Sequence, residues 1–280
     1  MSDEDAGRIE SYTQKTIEMQ DDFFGIEVDR YRPALGTAHL RRTAIASDSL
    51  EYAIKGISDG EASNIYSGVF PKQIPAAEWL CTKLAQRCGL PTPQCNVIKD
   101  PSTNEYFFGS RYDLAASSTP VQITEFISAL QDSPPLLRKQ LWAIYAYDQF
   151  VFNIDRHLGN YLYTKNREGN MTVQAFDFSL AAMVMGWPNK TDSGLLPATC
   201  NTAKNWIGIK ALTSSDSSCK DSALLVLDKL DRIHDNTISS IFSEMPESWV
   251  NPLQRDALLA WWSSQEKMIR VNAIRNEVSK

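Results

Sequence analysis

At Pro134 and Pro135 the chain changes character, and no other feature limits its fold so much. Ahead of the prolines, β-branched and aromatic residues come in short runs parted by turn formers. "TAIASDSLEYAIKGI" predicts two strands around a Ser-Asp-Ser turn. "QCNVI" and "EYFFGSRY", parted by "KDPSTN", predict a second antiparallel pair, and "VQITEF" adds one more strand. Between the pairs, Ala77, Leu80, Cys81, Leu84 and Cys88 recur at helical spacing over 74–88, closed by Gly89 and then Pro91 and Pro93. Beyond the prolines, "LLRKQLWAIYAYDQFVFN" is apolar over so wide an arc that it reads as a buried helix. "YLYT" and "MTVQAFDF" form a short hairpin across "KNREGN". A Ser/Thr/Asn-rich loop over 185–205 leads into helices, the last starting at the cap Asn251 and Pro252 and running to about Glu277. A strand-rich half followed by a helical half predicts an α+β chain of two lobes with a cleft between them.

The composition permits this. A chain of 280 residues with 43% hydrophobic and 22% charged residues can bury a sizeable core. The net charge of −6 argues against non-specific nucleic-acid binding, which needs concentrated Lys and Arg. No run approaches the roughly 18 to 20 apolar residues that span a bilayer, and the acidic start MSDEDAG is unlike a secretory signal. The expectation is a cytoplasmic protein without a membrane partner. Its five cysteines form no C-x-x-C pair, which suits reduced, buried thiols. The first 30 residues, poor in apolar positions, read as an extension; 31–128 and 129–280 are then the two lobes.

Chemistry concentrates in "NIDRHLGNYLYT". Asp155 and Asn160 flank the start of one hairpin strand, while Asp177 ends its partner. Paired strands lie about 4.8 Å apart, so the hairpin can return Asp177 towards Asn160. Oxygen ligands of this kind suit Mg²⁺, which takes one or two carboxylates and completes its shell from water and phosphate. Asp155 is then left to orient or deprotonate a hydroxyl. Lys55 lies on a mostly apolar strand, where facing inward is costly without an anion. Glu78, roughly 80 to 100° from the centre of the helix's apolar stripe, can supply it. Lys55 and Gly36 together offer a cation and a backbone that a phosphoryl donor can approach.

In order along the chain, "YRPALGTAHLRRTAIASDSLEYAIKGI", "EWLCTKLAQRCGLPTP", "NIDRHLGNYLYT" and "AFDFSLA" resemble the HipA-like family of bacterial serine/threonine kinases, in particular a compact branch without the extra N-terminal domain. "EMPESWV" is similar to a segment of that branch, and the resemblance runs from about Arg30 to Arg275. It implies a bilobal protein-kinase-like fold using ATP and Mg²⁺. Lys55 would contact the ATP phosphates, Glu78 would position Lys55, and Asp155 would be the catalytic base. Asn160 and Asp177 would hold Mg²⁺. Gly36, Thr37, Ala38 and His39 would belong to the phosphate-covering loop, with His157 near the transferred phosphate. The resemblance also implies a protein substrate, a small antitoxin partner and self-phosphorylation, for which Thr37, Ser47 or Ser49, near the proposed nucleotide loop, are candidates. In two places the chain departs from ordinary protein kinases: "ALGTAHLRR" is poor in glycine, and Ser179 replaces the glycine of Asp-Phe-Gly.

Other readings compete. Alone, Lys55 is a surface lysine on an edge strand, and Asp155, Arg156 and His157 are a capped turn. A phosphoinositide-type lipid kinase shares Asp-Arg-His-x-x-Asn, but no basic membrane-facing cluster accompanies it here. A catalytically inactive binding module would keep the fold without needing Lys55, Asp155, Asn160 and Asp177 intact. His39 and His234 read as solvated or structural, and Trp261 with Trp262 as core.

Overall fold

A computed structural model describes residues 25–33, 42–61, 70–113, 115–118, 123–188 and 194–280. The predicted Gly36, Thr37, Ala38 and His39, and all but the last few residues of the predicted extension, lie outside these. Five antiparallel strands come first: β1 (Val28–Pro33), β2 (Arg42–Ala46), β3 (Glu51–Lys55), β4 (Cys95–Lys99) and β5 (Tyr106–Arg111), in the order β1-β2-β3-β5-β4. Strand periodicity sorts their side chains. Tyr52 and Ile54 of β3 join Val28, Ala44, Ala46, Ile98 and Phe107 in a core of the sheet's own. Ala53 and Lys55 face the other way, into the cleft. The register sets Ala53 opposite Ser110 and Lys55 opposite Phe108, so β5 lines the same cleft.

The sheet curls until its far edges nearly meet. Lys99 N donates to Ile26 O (2.9 Å) and the Tyr31 hydroxyl to Asp100 Oδ2 (2.5 Å). Gly109 of β5 meets this crowding directly, since a Cβ there would fall 2.4 Å from Ile98 Cδ1.

Helices α1 (Ile57–Glu61) and α2 (Ile74–Arg87) separate β3 from β4. The apolar stripe of α2 is buried as its spacing predicts, but so are its flanks, Glu78 included. After β5, Ser117 pairs with Tyr163 through two hydrogen bonds (3.0 and 2.8 Å), pinning the connection onto the later hairpin. The described part of the predicted strand "VQITEF", Ile123 to Phe126, is instead the start of helix α3 (Ile123–Gln131). Six residues offer a strand-like alternation, but continued to Gln131 the apolar positions Ile123, Phe126, Ile127 and Leu130 follow helical spacing, and Phe126, Ala129 and Leu130 are buried.

Helix α4 (Leu136–Phe150) is the buried centre of the second region. It is followed by the hairpin β6 (Tyr161–Lys165) and β7 (Met171–Ala175). Then come α5 (Asn201–Thr213), α6 (Ser217–Arg232), α7 (Asp235–Ser243), α8 (Pro252–Trp262) and α9 (Gln265–Ser279). The loop expected to reach Asn205 stops at Cys200, whose Sγ accepts from Ala203 N (3.4 Å) and caps α5. The single closing helix expected from Asn251 is two, because the Ser264 hydroxyl accepts from Glu266 N (3.2 Å) and starts a new helix. Trp261 and Trp262 are buried beside Phe150, with ring centroids 5.9 and 5.5 Å away. A strand-rich first region thus meets a helical second one in a bilobal α+β fold, as expected.

Candidate active site

Lys55 ends β3 and is 7% exposed. Its ammonium donates to Glu78 Oε1 (2.5 Å), Asp177 Oδ1 (2.9 Å) and the Ser179 hydroxyl (2.8 Å). Burial by itself would depress the lysine pKa; the charges of Asp177 and Glu78 overcome it and hold the pKa above the ordinary lysine value. Glu78 is fastened in turn, accepting from Phe178 N (3.0 Å) and the Ser179 hydroxyl (2.9 Å). The Asp-Phe-Ser step is therefore bonded to both members of the Lys–Glu pair. Asp177 has a φ of +60°, a left-handed backbone that aspartate tolerates better than most residues.

The loop from Asn153 to Asn160 is built around one buried cation. Arg156, 1% exposed, gives Nε and Nη2 to the two oxygens of Asp148 on α4 (2.8 and 3.0 Å). Its Nη1 donates to Asn160 O (2.5 Å) and to Phe176 O, so one guanidinium joins the loop to the residue before Asp177. Burial would lower its pKa, but Asp148 overcomes this and raises it. Asp148 also accepts from Asn153 Nδ2 (2.8 Å). Arg156 is thus structural, and the only early sign of its partner was an aspartate inside an apolar helix.

Asp155 is half-buried, and its Oδ1 accepts from Asn201 Nδ2 (2.5 Å). Asn160 Nδ2 donates to Asp155 O (2.8 Å), which orients the amide and leaves its oxygen to accept a hydrogen bond or ligate a cation. His157 is exposed; its Nδ1 accepts from Gly159 N (3.1 Å) and caps the turn Leu158–Asn160.

Lys55, Glu78, Asn160 and Asp177 line a single cleft, whose empty space counted out to its open mouth is about 970 Å³. Asp155, His157 and Ser179 adjoin it in sequence or by hydrogen bonds. The rest of its wall includes Ala53 and Phe108 from the sheet, Leu162 from the hairpin, Phe176 just after it, and Tyr112 and Asp113 after β5. Ala53, Leu162 and Phe176 lie inside the quoted stretches, yet no motif position assigns them a role. As metal donors, one carboxylate and one amide oxygen fit a small hard cation that also takes phosphate oxygens. Among the described residues, no group of three or more His, Cys, Asp or Glu is arranged to hold a metal unaided. No helix among them is long and apolar enough to cross a membrane.

A curled sheet bearing a lysine, paired to a helix glutamate across a cleft from an Asp/Asn loop, is the architecture of the protein-kinase-like fold, and the chain is of that class. More narrowly, residues 46–183 match the model of the HipA-like kinase family. Among solved structures, the Helicobacter pylori proinflammatory kinase CtkA matches with a TM-score of 0.58 at 12% identity, over 89% of this chain and 95% of its own. HipA from the Shewanella oneidensis MR-1 toxin–antitoxin complex with HipB and operator DNA gives 0.38 at 9% identity, over 72% and 57%. The Golgi casein kinase with Mn/ADP bound gives 0.48 at 12%, over 94% and 76%. No curated protein matches the chain significantly. At these identities the likeness to CtkA is one of fold.

Proposed function

We propose that the protein is an ATP- and Mg²⁺-dependent kinase that transfers the γ-phosphate to a serine or threonine hydroxyl of a protein. The observation carrying this reading is the buried Lys55–Glu78–Asp177 cluster in the same cleft as Asn160, with Asp155 held one loop away. Lys55 presents its ammonium to the phosphate oxygens and Glu78 keeps it there. Asn160 and Asp177 would hold Mg²⁺, which when bound would neutralise charge on the phosphates. Asp155 takes the proton of the acceptor hydroxyl as its oxygen bonds to the γ-phosphorus and the bond to the β-phosphate oxygen breaks, releasing ADP. Ala53 and Leu162 form the apolar slot for the base of the nucleotide. His157 would act near the transferred phosphate.

The finer readings belong to the same proposal. The chain is of the compact branch, with lobes over 31–128 and 129–280 after an N-terminal extension, and works in the cytoplasm as a toxin-type kinase restrained by a small antitoxin. Self-phosphorylation falls on Thr37, Ser47 or Ser49, and phosphopeptide mapping after incubation with ATP shows whether any is used.

The test is γ-phosphate transfer by purified protein, with protein and phosphoinositide-vesicle acceptors in parallel. Asp155→Asn should lower turnover by roughly 10² to 10⁴-fold. Asp177→Ala should weaken metal-dependent nucleotide binding more than Asp155→Asn does. Equal labelling by all three forms would remove the assignment.

A further inference from the structure

Asp155 is held from two sides, and one side comes from a helix far along the chain. Asn201, 46 residues later at the first position of α5, donates its amide to Asp155 Oδ1 at 2.5 Å. Its neighbour Thr202 is 2% exposed and fastens the backbone around the same aspartate. The Thr202 hydroxyl donates to Asn153 O (2.6 Å) and accepts from Arg156 N (2.9 Å), while Thr202 N donates to Ile154 O (3.3 Å). Both residues lie beyond the span matched by the family.

We propose that Asn201 is a positioning residue for the base Asp155, and that Thr202 fixes the loop on which the base stands. This rests on the kinase reading above.

A general base works only if a lone pair points at the proton it removes, and a carboxylate free to rotate spends little time so aimed. Tying one oxygen to a neutral amide fixes the plane of the carboxylate without giving it a proton, and leaves the second oxygen for the hydroxyl. Helix capping does not explain Asn201. The cap is Cys200, and Asn201 gives a hydrogen bond to Asp155, whereas a capping side chain accepts one. Asn201 is also exposed, so its contact is not forced by packing.

Two variants separate positioning from folding. Asn201→Ala should lower kcat by roughly 10- to 10²-fold, the scale of a misaimed group, with KM for ATP and the thermal shift caused by MgATP unchanged. Asn201→Asp sets a second carboxylate against Asp155 and should lower kcat further. Yet an acid in the first turn suits the helix dipole, so its melting temperature should be no lower than that of Asn201→Ala. Between the two variants activity then falls without a matching fall in stability, which a purely structural role cannot produce. The inference falls if kcat of Asn201→Ala stays within about twofold of wild type, or if losses in the two variants follow their melting temperatures. Those results leave the kinase reading standing as long as wild type transfers phosphate and Asp155→Asn does not. A wild-type protein that transfers none removes both.

Discussion

Lys55 sits where water scarcely reaches, and three partners meet its three ammonium hydrogens. Replacing it with methionine would leave the Glu78 carboxylate buried without a cation. Breaking a buried pair from one side costs about 3–5 kcal/mol, so Lys55→Met should lose stability on that scale in urea unfolding as well as lose phosphate transfer. Ser179→Ala is milder. It removes a hydroxyl that accepts from Lys55 and donates to Glu78, and should cost about 1–3 kcal/mol. Residues at this scale were unequally legible in the sequence. Lys55, Glu78, Asp155, Asn160 and Asp177 stand in a recognisable order, and the structure brings four of them to the cleft and Asp155 beside it. Ser179 showed only as a departure from glycine. Asn201 gave no signal, because a contact across 46 residues leaves no spacing to detect.

Between residue and domain, two helices carry charges that can be tested separately. Asp148 interrupts the apolar α4 to neutralise Arg156, and Asp148→Asn should strand a buried guanidinium. The expected loss is again about 3–5 kcal/mol by denaturant unfolding. On α6, Asp216 caps the first turn, accepting from Ser218 N (3.0 Å) and Arg138 Nε (2.6 Å). Hydrogen bonding by Ser218, then by Arg138, pulls its pKa from 3.8 to about 2. A carboxyl depressed on folding stabilises above its unfolded pKa, so this contribution should be full above about pH 4 and fade towards pH 2. Asp216→Asn should flatten that part of a melting-temperature profile, while Asp216→Ala should also lose about 1 kcal/mol of capping. Helix starts also explain what the sequence hid. Cys200 is an unusual cap and Ser264 sits inside a helical pattern, so both boundaries were misplaced. For α3, the window was too short to tell a period of 2 from one of 3.6.

At the scale of the molecule, one core fills the curled sheet and a second, larger one runs through the helical region and takes in α2. The two-lobed plan was legible because strand runs and helical runs fall on opposite sides of Pro134. How tightly the lobes are joined was not, since it depends on single side chains. If the cleft binds MgATP, the ligand at 100 times its Kd should raise stability by about 2.7 kcal/mol, readable as a thermal shift. Asp155→Asn should keep that shift and Lys55→Met should lose it. No shift with the wild-type protein would take the nucleotide out of the cleft.

Helix α2, which brings Glu78 to the lysine, is secured from the opposite side. Trp79 Nε1 donates to Ile241 O (3.2 Å), Tyr147 to Cys81 O (2.5 Å) and Lys229 to Cys88 O (2.9 Å). Trp249, from "EMPESWV", stacks edge-on to Trp79 with centroids 6.4 Å apart and reaches β5 through Tyr106 O (3.1 Å). Swinging the helix outward would break three such anchors and bare two indoles. An outward swing of α2 is therefore costly, and if the protein transfers phosphate as proposed, restraint would fall on what enters the cleft or on what sits at its mouth.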